Sequence, residues 1–224
     1  MKKIHWGICD DNEYICFIYQ TELSKYEYLE FSGDIHCAKD CLDFCAKHPI
    51  DILLLDIQLE NETAGINIIP KIKKLFPMIK IIILTSYEDE EYIFSAFANG
   101  ADDYFLKTLP IEQLSVKIQS VYDNTSSLSP NIAQTLSKKA KEISDYQKSL
   151  LYTLKIMTSL STSEFEVLKL VCKGYSYKEI STYRYVDLGT VKAQASKILK
   201  KFDTHNMKQL AESLNTQKIF DLFD

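Results

Sequence analysis

The chain has 224 residues, of which 46% are hydrophobic and 25% charged. That is the balance of a folded globular protein, at a length that predicts two domains rather than one. Its longest apolar runs, "DILLLDI" and "KIIILTS", fall far short of the roughly 20 residues of a membrane span, and no basic-then-apolar leader opens the sequence, so a cytoplasmic protein without membrane contact is expected. The formal net charge of −5 is uneven: residues 1–125 carry 11 Lys/Arg against 21 Asp/Glu, whereas residues 126–157 and 158–224 carry net charges of +3 and +2, as expected of a front half that binds a cation and a back half that approaches a polyanion.

In chain order, strand-length apolar runs fall at residues 4–9, 29–37, 51–56, 80–86 and 102–107. Between them lie segments with apolar residues three and four apart, at 14–29, 38–47, 64–76, 88–99 and 110–122. Strands alternating with helices predict a doubly wound parallel sheet, and the unbroken apolar third and fourth strands agree with burial on both faces. Cys37, Cys41 and Cys45 recur at helical spacing beside His36 and His48. Without a CxxC pair they read as a small-residue helix face against the sheet, and the six cysteines as reduced thiols.

In such a sheet ligands sit at the carboxyl ends of the strands. There the sequence places Asp10 and Asp11 after the first strand, Asp56 at the end of the third, Thr85 and Ser86 at the end of the fourth, and Lys107 at the end of the fifth. Adjacent carboxylates repel and are costly to desolvate, so a cation is expected between them. Hard oxygen donors suit Mg²⁺, leaving one carboxylate to act as a nucleophile toward phosphorus with Thr85 and Lys107 holding phosphoryl oxygens.

With "CDDNE", "LLLDIQL" and "ILTSYEDEEYIFSAFANGADDYFLK", residues 1–122 resemble the receiver domain of bacterial two-component response regulators, a flavodoxin-like fold with a five-stranded parallel sheet. The resemblance implies Asp56 as phosphoacceptor. It implies Asp11, Asp56 and the Gln58 backbone carbonyl as Mg²⁺ ligands, with Asp10 acting through water, Thr85 and Tyr104 as the switch pair, and Lys107 as the phosphate contact. Ser86 stands where the family often has Ala or Gly, at the border of the site.

Past Tyr122, "DNTSSLSPN" reads as a linker. Residues 132–157 then carry Ile132, Leu136, Ile143, Leu150, Leu151, Leu154 and Met157 near helical spacing, with lysines opposite. An amphipathic helix with a possible break near Asp145 is expected, packed on a domain or on a second copy, or serving only as a connector. Residues 123–157 thus separate the receiver from a third segment, 158–224.

Here Ser161 followed by Glu164 ahead of an apolar run is a capping box, opening a helix that ends at Gly174. A short helix near 177–183 and a third, capped by Asp187, form a helix-turn-helix. "LSTSEFEVLKLV", "GYSYKEIS" and "TVKAQASKILKKF" resemble the LuxR-type (NarL-like) all-α DNA-binding domain across residues 160 to about 214. The chain departs from that family at Gln194, where His is usual, at Tyr177, where Asn is, and at Arg184, where an apolar residue is common. Arg184 is also the lone arginine among 26 basic residues, so base readout must come from Lys192, Gln194, apolar side chains or DNA shape. The candidate DNA-contacting set is Lys178, Thr190, Lys192, Ala193, Gln194, Ser196, Lys197, Lys200 and Lys201. Spacing makes Lys192, Ala193 and Ser196 the base readers, with Lys197, Lys200 and Lys201 nearer phosphates.

Together the two resemblances imply a phosphorylation-switched transcription factor, not an enzyme, with a histidine kinase and double-stranded promoter DNA as partners and a homodimer at least when phosphorylated. An interaction module that is never phosphorylated is disfavoured by the intact acidic set, and an aspartate-nucleophile phosphatase by the lack of a separate general acid. The six glycines form no nucleotide-binding loop.

Overall fold

In the computed structural model, described for residues 2–86 and 89–222, the chain divides into two compact units, residues 1–139 and 140–224. The first unit is a five-stranded parallel sheet of β1 (Ile4–Cys9), β2 (Leu29–Ile35), β3 (Ile52–Asp56), β4 (Lys80–Thr85) and β5 (Asp103–Leu106) in the order β2-β1-β3-β4-β5. Side chains alternate across it with the two-residue period of a strand. Leu53, Leu55, Ile81 and Ile83 face the layer of α2 (Cys41–Lys47), α3 (Ala64–Leu75) and α4 (Glu90–Ala98), whereas Leu54, Ile82, Leu84 and Trp6 face α1 (Glu13–Leu23) and α5 (Ile111–Tyr122). Cys41 and Cys45 are buried on α2 and pack into the first layer, as their spacing predicts, whereas Cys37 precedes the helix in extended backbone, half-buried, with its thiol donating to Asp40.

Helix α1 ends at Leu23, its last buried residue, rather than at the expected residue 29, because Leu29 pairs with Ile4 at the start of β2. Glu88, the expected start of the fourth helix, lies outside the described residues with Tyr87, as do Met1, Phe223 and Asp224 at the expected domain bounds. Asp89 caps α4 by accepting from the Glu91 and Tyr92 amides.

One close approach fixes the floor of the sheet's carboxyl rim. The Gly65 amide, in the first turn of α3, donates to the Ile57 carbonyl at 3.0 Å, and a Cβ built on Gly65 would stand 1.8 Å from the Asp56 carbonyl oxygen.

Helix α6 (Pro130–Ser159) runs without a break at Asp145. Its first turns belong to the first unit, where Ile132 and Leu136 join the α3–α4 layer; its remainder belongs to the second. In the second unit α7 (Thr162–Cys172), α8 (Tyr177–Tyr183), α9 (Leu188–Lys201) and α10 (Met207–Thr216) surround a core that includes Val167, Leu168, Ile180, Val191, Ile198 and Leu214. Both hydrogen bonds of the Ser161–Glu164 capping box form, and a second box, Ser176–Glu179, opens α8. Asp187 holds the N-cap position of α9 in extended geometry without a side-chain capping bond.

Gly65→Ala forces backbone apart and is expected to lower stability by about 1–3 kcal/mol, the usual scale of overpacking. Gly189→Ala, with nothing within 4 Å of the added carbon, should stabilise α9 slightly. Paired thermal melts check the opposite signs.

Candidate functional site: an acidic pocket and a helix-turn-helix face

The carboxyl ends of β1, β3 and β5 bring three charges into one buried cluster. The Lys107 ammonium lies 2.5 Å from Asp10 Oδ2 and 2.9 Å from Asp56 Oδ2, with the Asp10 side chain 1% exposed and that of Asp56 11% exposed. Asp10 Oδ1 also accepts the Asn12 amide at 3.0 Å, and Asp56 Oδ1 the Ile57 amide at 2.8 Å. Asp11 is exposed, and carboxylate oxygens of Asp10, Asp11 and Asp56 fall within 4.8 Å of one another. Such a donor set fits a small hard cation: several carboxylate oxygens on one side, open to solvent through Asp11.

Burial pushes the Asp56 carboxyl above the ordinary carboxylate range, against the opposing pull of Lys107. Burial alone would lower Lys107, but its hydrogen bond to Asp10 and the charges of both carboxylates outweigh this and raise it. Asp56 is thus a desolvated anion held by one ammonium.

Thr85 is buried at the end of β4, and its carbonyl accepts the Lys107 amide at 2.8 Å, tying β4 to β5 at the rim. Ser86 next to it is exposed, Gln58 lies half-buried two residues past Asp56, and Tyr104 is buried in the α3–α4 layer. Two residues that sequence reasoning missed support Asp10 from behind. His36 Nδ1 lies 3.0 Å from the Asp10 carbonyl and its Nε2 3.1 Å from Asp34, while the Cys16 thiol donates to the same carbonyl at 3.6 Å. No local pattern marks His36, because strand pairing brings the end of β2 beside Asp10, while Cys16 reaches the same carbonyl from the first turn of α1.

In the second unit, Val191, Ala195 and Ile198 bury one face of α9, and the opposite face presents Lys192, Ala193, Ser196, Lys197 and Lys200 to solvent. Thr190, in the first turn of α9, and Lys178, on α8, are exposed as well. Two residues of the expected set are engaged elsewhere. Gln194 is half-buried and accepts from Arg184 at 3.0 Å; Lys201 donates to the Ser159 carbonyl and to Glu164, each at 2.8 Å. The lone arginine also pairs with Glu166 at 3.0 Å, so the departures at 184 and 194 meet in one structural contact.

The family model for the response regulator receiver domain matches residues 7–119, and that for the bacterial regulatory proteins of the luxR family matches residues 158–214. The chain is 30% identical over 215 residues to the oxygen regulatory protein NreC of Staphylococcus haemolyticus, covering 96% of this chain and 98% of that protein. It is 33% identical over 175 residues to NreC of Staphylococcus carnosus, covering 78% and 80%. Among solved structures, the fold is similar to that of the Salmonella typhimurium RcsB response regulator (TM-score 0.55, 19% identity, 95% of this chain and 100% of that one). It is similar also to a structure of the two-component response regulator RcsB in complex with DNA (TM-score 0.56, 19% identity, 95% and 100%). The chain belongs to the two-component response regulators, with a receiver domain and a luxR-type DNA-binding domain. It is therefore a transcription regulator.

The raised Asp56 carboxyl has a stability consequence. With a folded-state pKa above the unfolded one, ionising Asp56 costs stability; the cost is present above the folded pKa and absent below the ordinary carboxylate value. Asp56→Asn should therefore melt higher than the wild type at neutral pH, with the gap closing as pH falls through the carboxylate range. Melts across that range without added cation check it.

Proposed function

We propose that Asp56 is the phosphoacceptor of this regulator. The observation that carries this reading is the Lys107 ammonium held between the buried Asp10 and Asp56 carboxylates, next to exposed Asp11. A histidine kinase, the partner of response regulators of this kind, supplies the group: the nitrogen–phosphorus bond of its phosphohistidine breaks as an Asp56 oxygen–phosphorus bond forms. Asp11, Asp56 and the Gln58 carbonyl would hold Mg²⁺, with Asp10 acting through water. These residues would hold the ion, and its charge, when bound, would offset that of the carboxylates and of the incoming phosphoryl group. Lys107 is close enough to leave Asp10 for a phosphoryl oxygen. Thr85 would donate to another, Ser86 would border the approach, and Tyr104 would follow Thr85 inward as the switch aromatic.

The functional divisions we assign are a receiver over residues 1–122, a linker with its helix over 123–157, and a DNA-binding domain over 158–224. Lys192, Ala193 and Ser196 would read base edges, and Lys197, Lys200, Thr190 and Lys178 would contact the backbone. Gln194 and Lys201, engaged by Arg184 and Glu164, would support α9 rather than touch DNA. A net charge of only +2 over residues 158–224 favours binding as a homodimer on double-stranded promoter DNA. No helix among the described residues is long and apolar enough to cross a membrane, in keeping with action on DNA in the cytoplasm.

Three measurements test this. A small acyl phosphate donor with Mg²⁺ should add one acid-stable, base-labile phosphoryl group, absent in Asp56→Asn; persistent labelling of that variant overturns the assignment. Mg²⁺ should raise the melting temperature of the wild type, by about 2.7 kcal/mol of stabilisation at a hundred times its dissociation constant, and much less that of Asp11→Ala. Lys192→Ala should cost about 1–3 kcal/mol on a duplex selected by the wild type from a random pool and relax sequence preference, whereas Lys200→Ala should weaken all duplexes alike and reduce the salt slope by about one. Gel-shift titrations at several salt concentrations separate the two.

A further inference from the structure

A second group of metal-ligating side chains stands among the described residues, behind the backbone of Asp10. The Cys16 sulfur, a ring nitrogen of His36 and a carboxylate oxygen of Asp34 all lie within 4.8 Å of one another. Local sequence explains the meeting. Ile35, the last residue of β2, packs into the α2–α3–α4 layer, so the two-residue period of a strand turns its neighbours Asp34 and His36 toward the opposite face. Cys16, in the first turn of α1, belongs to the core on that face. It is 2% exposed, whereas the Asp34 and His36 side chains are 42% and 40% exposed. The group thus has sulfur on the protein side and nitrogen and oxygen at the solvent boundary.

Hydrogen bonds fix how the imidazole is used. His36 Nδ1 lies 3.0 Å from the Asp10 carbonyl, which can only accept, so Nδ1 carries a proton. Nε2 then faces the Asp34 carboxylate at 3.1 Å. An unprotonated ring nitrogen and a carboxylate oxygen repel at that distance unless something positive sits between them. A second ring proton would make an exposed ion pair of little worth; a metal ion would also draw in the sulfur. A backbone carbonyl holding one ring nitrogen while the other is left for a ligand is how metal-binding histidines are oriented. The spacing suits an ion as well. With bonds of about 2.0–2.2 Å to nitrogen and oxygen and about 2.3 Å to sulfur, the ligands of one tetrahedral Zn²⁺ stand roughly 3.3–3.6 Å apart. Asp34 and His36 are already close to that separation, and the sulfur has at most about 1 Å to close.

We propose that Cys16, Asp34 and His36 form a cation site separate from the acidic pocket, taking a borderline-soft divalent ion of the Zn²⁺ type, with the fourth position open to solvent. Sulfur and imidazole set the selectivity: they suit Zn²⁺, whereas Mg²⁺ favours all-oxygen donors such as Asp10, Asp11 and Asp56. On binding, the thiol hydrogen now donated to the Asp10 carbonyl leaves as a proton, and a sulfur–metal bond takes its place. The bound ion ties α1 to the end of β2 directly behind Asp10. The site is independent of the assignment of Asp56.

Co²⁺ substitutes for Zn²⁺ in sites of this kind and reports a thiolate ligand by a sulfur-to-metal charge-transfer band in the near ultraviolet. The reduced, metal-free full chain is titrated with Co²⁺ in excess Mg²⁺, which fills the acidic pocket. One equivalent should produce the band, and Zn²⁺ should bleach it by displacing the cobalt. Cys16→Ser should abolish the band. His36→Ala and Asp34→Ala, at exposed positions, should each weaken Co²⁺ binding about tenfold or more. Cys37→Ser, next to His36 but outside the group, should leave band and affinity unchanged. The site is overturned if the wild type gives no band, if the band survives Cys16→Ser, if His36→Ala or Asp34→Ala binds Co²⁺ as the wild type does, or if Cys37→Ser removes the band. Should circular dichroism show Cys16→Ser unfolded, the two exposed-position variants decide by the same criterion.

Discussion

Two carboxylates cannot share a buried rim without a cation, and in this protein Lys107 is that cation. Its contacts with Asp10 and Asp56 join the ends of β1, β3 and β5 across the sheet, so the acidic pocket and the packing order of the strands are one constraint. Taking the Lys107 charge out of such a cluster leaves two carboxylates desolvated and unpaired, which keeps its geometry narrow. The same crowding suits the proposed function, in which an anion raised in energy by burial accepts a cation on one side and phosphorus on the other.

The pocket stays open because its supports are backbone rather than bulk. Gly65 lets α3 approach the Asp56 peptide, and the Thr85 carbonyl fastens the Lys107 amide. His36 and Cys16 hold the Asp10 carbonyl. From this rim the sheet continues outward through β4 and β5. Thr85 ends β4 beside β5, and Tyr104 on β5 belongs to the layer that receives Ile132.

Much of this was legible in the sequence because its signals are local. Unbroken apolar β3 and β4, carboxylates at strand ends and the Ser161–Glu164 spacing each specify structure within a few residues, and each is present as read. The apolar stripe of α6 was legible as a stripe, but periodicity does not say which surface it covers, and only the fold brings Ile132 and Leu136 to the α3–α4 layer. For the same reason the sequence could not show that Gln194 turns to Arg184, or Lys201 to Glu164. Both residues have the chemistry to touch DNA, yet lie within reach of a partner from another helix. His36 carries no positional signal until β2 is paired beside β1. Helix α6 runs through Asp145 where a break was allowed, its polar middle continuing a helix whose two ends are each fixed by packing.

Reductive trapping of the modified side chain measures the central assignment most directly. Borohydride reduces an aspartyl phosphate to homoserine, leaving a permanent mark on the residue that carried the phosphoryl group. After treatment with a small acyl phosphate donor and Mg²⁺, peptide mass spectrometry should find homoserine at position 56 and find it lost when Mg²⁺ is chelated. Homoserine at Asp10, Asp11 or another aspartate, or none anywhere under conditions that preserve the fold, would contradict the assignment.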